Sequence, residues 1–178
     1  MKITIGGLGG TGKSTIAKKL AKQLGYKHYS SGDMQRALAK ERGLTITEWG
    51  SKEKEDAKYD NMVDEKTRQL GLTEDNFVID GWLAAHFVPQ AIKIFLKGDL
   101  KTRAKRITIP REAESFNDLG TAIKTTRLRE MVNRKRWLEF YNYDYTDENN
   151  YDLVIDTSNL NAGQVFDKVC KYVKKKMK

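Results

Sequence analysis

The stretch GLGGTGKS at residues 7–14 constrains this chain more than any other feature of its sequence. It matches the pattern G-x-x-x-x-G-K-[S/T], in which glycines without Cβ atoms let backbone N–H groups curl around phosphate oxygens. A β-branched stretch precedes it, and a run with helically spaced apolar residues follows it up to residue 24. The sequence therefore predicts a strand–loop–helix unit that binds the phosphates of a nucleoside triphosphate.

Three side chains near this loop are candidates for binding phosphate or Mg²⁺. Lys13 is expected to reach the β and γ phosphates, and Ser14 to offer its hydroxyl to Mg²⁺. The stretch FVIDG at residues 77–81 has the pattern of a buried strand that ends in Asp80. An acidic side chain there can fix Mg²⁺, usually through water; an Asp that only caps a turn is the alternative. The expected cofactors are ATP and Mg²⁺, with Ser14 and Asp80 as metal residues.

Short apolar stretches alternate with helical ones along the chain. FVID at residues 77–80, AIKIFL at 91–96 and YDLVID at 151–156 have the composition of strands buried on both faces. With strands predicted at residues 1–5 and 26–30, they give five strands separated by helices. The predicted fold class is α/β, a three-layer P-loop NTPase fold whose five-stranded parallel sheet has helices on both faces.

The class of P-loop protein follows partly from what the sequence lacks. Residues 80–83 read DGWL rather than D-x-x-G, and no N-K-x-D stretch is present, which argues against a GTPase. A length of 178 residues is short for motor or AAA-type ATPases. A small kinase remains, and it requires a helical acceptor-binding segment and an arginine-rich lid. We predict a single kinase domain over residues 1–178, with a nucleoside monophosphate (NMP) binding segment at about 32–71 and a lid at about 108–136.

The positive charge is concentrated in one segment. Residues 101–136 contain eleven Lys and Arg against four Asp and Glu, in a chain of net charge +9. On a helix, Arg129, Asn133 and Arg136 share one face, while Arg127 and Arg134 lie on roughly the opposite face. One row can face phosphates while the other faces solvent. A solvated basic helix is one alternative, and an ATP-dependent nucleic-acid-binding surface is another.

Taken together, these motifs resemble cytidylate kinases of the bacterial and archaeal type, within the nucleoside monophosphate kinases. Besides the P-loop at residues 7–15, the resemblance includes SGDMQR at 31–36, VIDG at 78–81, KIFL at 93–96, R-A-x-R at 103–106, R-E-x-x-x-x-x-R at 129–136 and YDLVIDTS at 151–158. It implies a five-stranded parallel sheet and the reaction ATP + CMP ⇌ ADP + CDP, with CMP or dCMP as acceptor. A related P-loop kinase that acts on another nucleotide or on a metabolite remains the alternative.

The same resemblance implies roles for individual residues. Arg36 is expected to clamp the acceptor phosphate, Arg129 and Arg136 to bridge the donor and acceptor phosphates, and Arg103 and Arg106 to lie on the ATP side. The expected catalytic residues are Lys13, Arg129 and Arg136. The expected ATP-binding residues are Gly7, Leu8, Gly9, Gly10, Thr11, Gly12, Lys13, Ser14, Thr15, Arg103 and Arg106. The expected acceptor-binding residues are Ser31, Gly32, Asp33, Arg36, Asp80, Gly81, Trp82, Arg129 and Asn133.

Two positions depart from the family pattern. Trp82 stands where the family has an arginine, and an indole cannot make the bidentate phosphate contact of a guanidinium. Asn133 stands where the family has an acidic residue. Both departures lie on the acceptor side, so the resemblance supports ATP binding more strongly than cytidine specificity.

The remaining expectations concern partners and location. An acceptor phosphate is already a nucleophile at neutral pH, so no general base is required, and His28 and His86 are expected to be structural. The single cysteine, Cys170, excludes an internal disulfide and fits a cytoplasmic location. No apolar stretch is long enough to span a membrane. We expect small-molecule nucleotides as partners, no nucleic acid, a monomer, and a mobile loop at residues 108–117.

Overall fold

A computed structural model of the chain describes residues 1–55, 57–108 and 118–177. These residues form a parallel five-stranded sheet in the order β2-β3-β1-β4-β5, which confirms the predicted fold class. The strands are β1 (Lys2–Gly7), β2 (Lys27–Ser30), β3 (Phe77–Asp80), β4 (Ile92–Lys97) and β5 (Leu153–Asp156). The helices are α1 (Lys13–Leu24), α2 (Ser31–Glu41), α3 (Ile46–Glu55), α4 (Ala57–Thr73), α5 (Ala84–Phe87), α6 (Leu100–Thr108), α7 (Leu119–Tyr141) and α8 (Ala162–Lys176).

The register of the sheet brings the P-loop and Asp80 to the same edge. Strand β1 lies at the centre, where Ile5 pairs with Asp80 of β3 and Gly7 pairs with Leu96 of β4. Parallel strands end together at one edge of a sheet, and ligands of such folds bind outside that edge. The loop after β1 and the residues after β3 therefore flank one crevice.

Apolar side chains cover both faces of the sheet because successive strand residues point to opposite sides. On one face, Ile3 and Ile5 pack with apolar residues of α1 and α8, including Cys170, which is buried as a small hydrophobic residue. On the other face, Phe95 of β4 packs with Trp137 of α7 and the buried Tyr145. The second cluster anchors the end of the basic helix α7 beneath the crevice.

The sequence predicts a polar helix over residues 53–70, and the described residues of that range are helical; residue 56 lies outside them. Helix α3 begins after Thr45, whose backbone N–H donates to Glu48 Oε2 at 2.7 Å and whose Oγ accepts from the Glu48 N–H at 3.2 Å. The expected mobile loop at residues 108–117 lies, apart from residue 108, outside the described residues. In the described part of the chain, no helix could cross a membrane.

Candidate active site

The P-loop forms an open cradle at the start of α1. Gly12 has a φ of +89°, and no protein atom lies within 4 Å of the position that a Cβ would take there. Gly10 has a φ of +77°, and a Cβ there would lie 2.4 Å from the carbonyl oxygen of Arg103. The first N–H groups of a helix have no partner within the helix and carry its positive end. The start of α1 therefore presents N–H groups to open space, where an anionic group can accept from them.

Lys13 is the first residue of α1 and is half-buried beside this loop. Its ammonium group donates a hydrogen bond to the carbonyl oxygen of Leu8 at 2.9 Å. Burial lowers the pKa of Lys13 to about 8; the negative charge of Asp80 opposes this shift and the positive charge of Arg129 adds to it. Lys13 is thus a poorly hydrated cation close to a second one, a setting in which an anionic ligand is favoured.

Asp80 is the polar centre of the crevice. It is buried, and its Oδ2 accepts hydrogen bonds from Ser14 Oγ at 2.6 Å and from Ser30 Oγ at 3.3 Å. Its Oδ1 lies 2.8 Å from His28 Nε2. The Ser14 hydroxyl and the Asp80 carboxylate are hard oxygen donors of the kind that Mg²⁺ prefers. Together they fit a metal ion that takes its other ligands from phosphate and water. The described residues contain no cluster of three or more His, Cys, Asp or Glu able to hold a metal.

Arg103 and Glu130 form an ion pair that contacts the backbone of the P-loop. Arg103 is buried, and its guanidinium donates to Glu130 at 2.5 and 3.2 Å. It also donates to the carbonyl oxygens of Gly98 at 2.7 Å and Gly9 at 2.9 Å. Glu130 Oε1 in turn accepts from the backbone N–H of Gly9 at 3.2 Å. Arg103 of α6 therefore contacts the P-loop backbone at Gly9, and Glu130 joins that loop to α7.

Arg106 lies farther along α6, against the loop that follows β5. Its guanidinium donates to the Thr157 hydroxyl at 3.0 Å and to the Thr157 carbonyl at 2.7 Å. A third hydrogen bond reaches the carbonyl of Leu160 at 3.3 Å. These acceptors hold the planar group by its edge, which orients its flat face.

Trp82 follows the Asp80–Gly81 turn and stands between the P-loop and α7. The Arg129 guanidinium carbon lies 5.3 Å from the centroid of its ring, and Lys13 Nζ lies 5.9 Å from it. These distances are within the range of cation–π interactions. Lys13 and Arg129, two of the three predicted catalytic residues, thus both contact the indole ring of Trp82.

The predicted acceptor segment begins where β2 passes into α2. Arg36 pairs with Asp33 at 2.5 Å, one turn earlier on α2, and its side chain is 45% exposed. A Cβ on Gly81 would lie 2.2 Å from Ser31 Oγ, so the turn after β3 packs directly against the start of α2. The segment 31–36 therefore borders the same crevice as Asp80.

Helix α7 also contacts the acceptor segment at its other end. Arg136 pairs with the buried Glu53 at 3.9 Å and donates to Asn133 Oδ1 at 3.2 Å. Glu53 Oε1 accepts from Gln35 at 2.5 Å and from the Trp49 ring N–H at 2.7 Å, so this carboxylate is held in place by α2 and α3. Arg136 is thereby positioned beside the acceptor segment, while Arg129 lies beside the P-loop.

Four acidic or basic groups make contacts that sequence reasoning missed. Glu130 lies in the R-E motif, which predicts no role for it, and the sequence does not predict the contact of His28 with Asp80. The other two are Glu53 and Asp64. Asp64 accepts a 2.6 Å hydrogen bond from the Tyr141 hydroxyl, and burial raises the pKa of Asp64 to about 6. Their contacts join distant segments of the chain, and no local pattern signals such contacts.

Comparison with known proteins supports the family resemblance. The sequence profile of the cytidylate kinase-like family matches residues 2–159. A cytidylate kinase of Archaeoglobus fulgidus is 36% identical over 99% of this chain and 96% of its own length. An S-adenosylmethionine-dependent nucleotide dehydratase of Lacinutrix mariniflava is 37% identical over 98% of this chain, which spans only 36% of the length of that relative.

Solved structures share the architecture. An uncharacterised protein from Eubacterium ventriosum superimposes with a TM-score of 0.73 at 24% identity, covering 98% of both chains. A shikimate kinase from Bacteroides thetaiotaomicron superimposes with a TM-score of 0.66 at 14% identity, covering 99% of this chain and 98% of its own. At these identities the likeness establishes the fold alone.

Proposed function

Because this chain belongs to the cytidylate kinase-like family, we propose that it transfers the γ-phosphoryl group of ATP to a nucleoside monophosphate. CMP and dCMP are the first candidates, giving CDP and dCDP. The proposal rests on one observation: Lys13 of the P-loop and Arg129 of α7 both lie within cation–π distance of the Trp82 indole. One basic helix thereby contacts both the donor loop and, through Arg136, the acceptor segment.

The geometry suits a direct in-line transfer. An oxygen of the acceptor phosphate attacks the γ-phosphorus, the bond from that phosphorus to the β–γ bridging oxygen breaks, and ADP leaves. The reacting groups are all anionic, so the protein has to align them and offset their charge. Lys13, Arg129 and Arg136 supply fixed positive charge for this purpose, and Arg36 is assigned to the acceptor phosphate.

Mg²⁺ would be held by Ser14 and Asp80, and when bound it supplies further positive charge at the β and γ phosphates. The Ser14 hydroxyl and the Asp80 carboxylate already lie within 2.6 Å of each other. His28 and Ser30 hold the same carboxylate and thereby fix its orientation. We assign these two residues to positioning Asp80 rather than to proton transfer.

A nucleotide acceptor is favoured over another metabolite. The archaeal relative is named a cytidylate kinase and the Lacinutrix relative a nucleotide dehydratase, so both names refer to nucleotides. The shikimate kinases are far more distant in sequence. The choice of base and sugar depends on the acceptor side, where Trp82 and Asn133 both depart from the family pattern.

A panel of acceptors tests the proposal. ADP release from ATP and Mg²⁺ would be followed with CMP, dCMP, UMP, AMP, GMP and dTMP, and with shikimate as the metabolite control. We expect turnover with CMP or dCMP above all others, and its loss in Lys13→Ala. Turnover with shikimate alone, or none with any acceptor in a preparation that binds ATP, would contradict the proposal.

A titration with nucleic acid distinguishes the proposed kinase from the nucleic-acid-binding alternative. A mixed-sequence oligonucleotide would be added at two salt concentrations, because an electrostatic nucleic-acid interface loses affinity steeply with salt. We expect no binding at physiological salt while ATP still binds.

A further inference from the structure

The indole of Trp82 packs against two other aromatic rings, those of Tyr145 and Trp137. It stacks on Tyr145 with ring centroids 5.4 Å apart and planes 14° apart. The Trp137 ring meets it edge-on at 5.5 Å and 89°. Tyr145 and Trp137 are themselves buried in the core cluster beneath the crevice. The orientation of the indole is therefore fixed by packing before any ligand binds.

Two like charges lie against this one ring. Arg129 comes from α7 and Lys13 from the start of α1, at 5.3 and 5.9 Å from the centroid. They are close enough to repel each other, since the charge of Arg129 contributes to lowering the pKa of Lys13. An electron-rich ring face attracts both cations and so offsets part of that repulsion.

We propose that Trp82 is a positioning residue that gathers Lys13 and Arg129 at the donor–acceptor junction before the phosphates arrive. A carboxylate in the same place would also gather the two cations, but it would compete with phosphate for them and would repel it. The indole carries no net charge, so incoming phosphates can draw the cations away without displacing an anion. An arginine at this position would add a third positive charge to the cluster.

This inference rests on the proposed function and adds a specific expectation to it. Preorganised charge acts on the transition state more than on ATP binding, which the loop amides support independently. Loss of the ring should therefore lower kcat and leave the KM for ATP little changed. A role in packing alone predicts instead that activity follows the loss of stability.

Two substitutions separate these roles. Trp82→Phe keeps an aromatic face, whereas Trp82→Leu removes it. We expect kcat to fall about tenfold in Trp82→Leu and no more than about threefold in Trp82→Phe, as two cation–π contacts of ordinary strength would give. Tyr143→Leu is the matched control, because Tyr143 packs in the same aromatic cluster. It should lower the midpoint of urea unfolding and leave kcat unchanged.

A double-mutant cycle tests whether Trp82 acts through Arg129. If it does, Trp82→Leu should cost about tenfold in the native background but about threefold or less in Arg129→Gln, where only the Lys13 contact remains. An equal loss in both backgrounds, or equal kcat in the Phe and Leu variants, would overturn the inference.

The same double-mutant cycle can also be measured through stability, without an activity assay. Unfolding of the same four proteins in urea should give a Trp82–Arg129 coupling of about two- to fivefold in the unfolding equilibrium constant. If the wild type phosphorylates no acceptor, the proposed function is wrong. The urea measurement still tests the contact between Trp82 and Arg129, because it does not depend on turnover. Strict additivity in urea would overturn the inference whatever the acceptor panel gives.

Discussion

Removing the charge of Glu130 should destabilise the fold, because this carboxylate neutralises the buried Arg103. Glu130→Gln keeps the shape of the side chain and an oxygen that can still accept from the Gly9 N–H. It removes the negative charge that Arg103 faces at 2.5 Å, where the Arg103 side chain is 4% and the Glu130 side chain 16% exposed. The substitution therefore tests a single electrostatic contact between α6 and α7.

The expected magnitude follows from that burial. Breaking a buried ion pair by removing one partner costs about 3–5 kcal/mol. Arg103 keeps its hydrogen bonds to the carbonyls of Gly98 and Gly9, so the loss should lie at the low end, at about 3 kcal/mol. With a urea dependence of about 2 kcal/mol per molar, the unfolding midpoint should fall by about 1.5 M.

Urea unfolding monitored by circular dichroism measures this shift directly. Glu139→Gln is the matched control on the same helix, since Glu139 is 60% exposed and lies 3.8 Å from Lys135. Exposed pairs of this kind contribute about 0–1 kcal/mol, so the control should move the midpoint little. In an Arg103→Met background the cost of Glu130→Gln should largely disappear. A Glu130→Gln shift no larger than that of Glu139→Gln would show that Glu130 does not stabilise the buried charge of Arg103.

Two further predictions concern pH. The pKa of Asp64 is about 6 in the fold and about 3.9 in the unfolded chain, so the folded state retains a proton between these values. The stability of wild type relative to Asp64→Asn should therefore be greatest below about pH 4 and fall by about 3 kcal/mol as pH rises from about 4 to above 6, measured by urea unfolding across pH; a constant difference would contradict it. The pKa of Lys13 is about 8, so the Kd for ATP measured by calorimetry should rise above that pH. Lys13→Arg should bind more evenly across the same range, and an identical pH profile in both proteins would contradict this assignment.

The fold could be predicted largely because its signals are local. The P-loop sequence, the apolar strand FVID and the cap formed by Thr45 and Glu48 each specify a short piece of backbone by residue type alone. Parallel strands then follow from the alternation of strands and helices. The short helix α5 is not predicted, because four residues are too few to show a helical pattern of polar and apolar side chains.

The site could be predicted only in part because its contacts are long-range. Helical spacing correctly groups Arg129 with Arg136 on one face of α7. It cannot tell that Arg103 would be buried against Glu130 from another helix, or that Trp82 would lie between two cations. Such contacts depend on how the helices pack across the sheet, which no local pattern specifies.

The central claim is that the P-loop and one arginine row of α7 act on the same phosphates. The most direct test is kcat, with ATP, Mg²⁺ and saturating CMP, for Arg129→Gln beside Arg127→Gln from the other face of the helix. The account predicts a loss of about 100- to 1,000-fold for Arg129→Gln, as for removal of an arginine that stabilises a transferring phosphoryl group, and less than about threefold for Arg127→Gln. Equal kcat values in the two variants would contradict it.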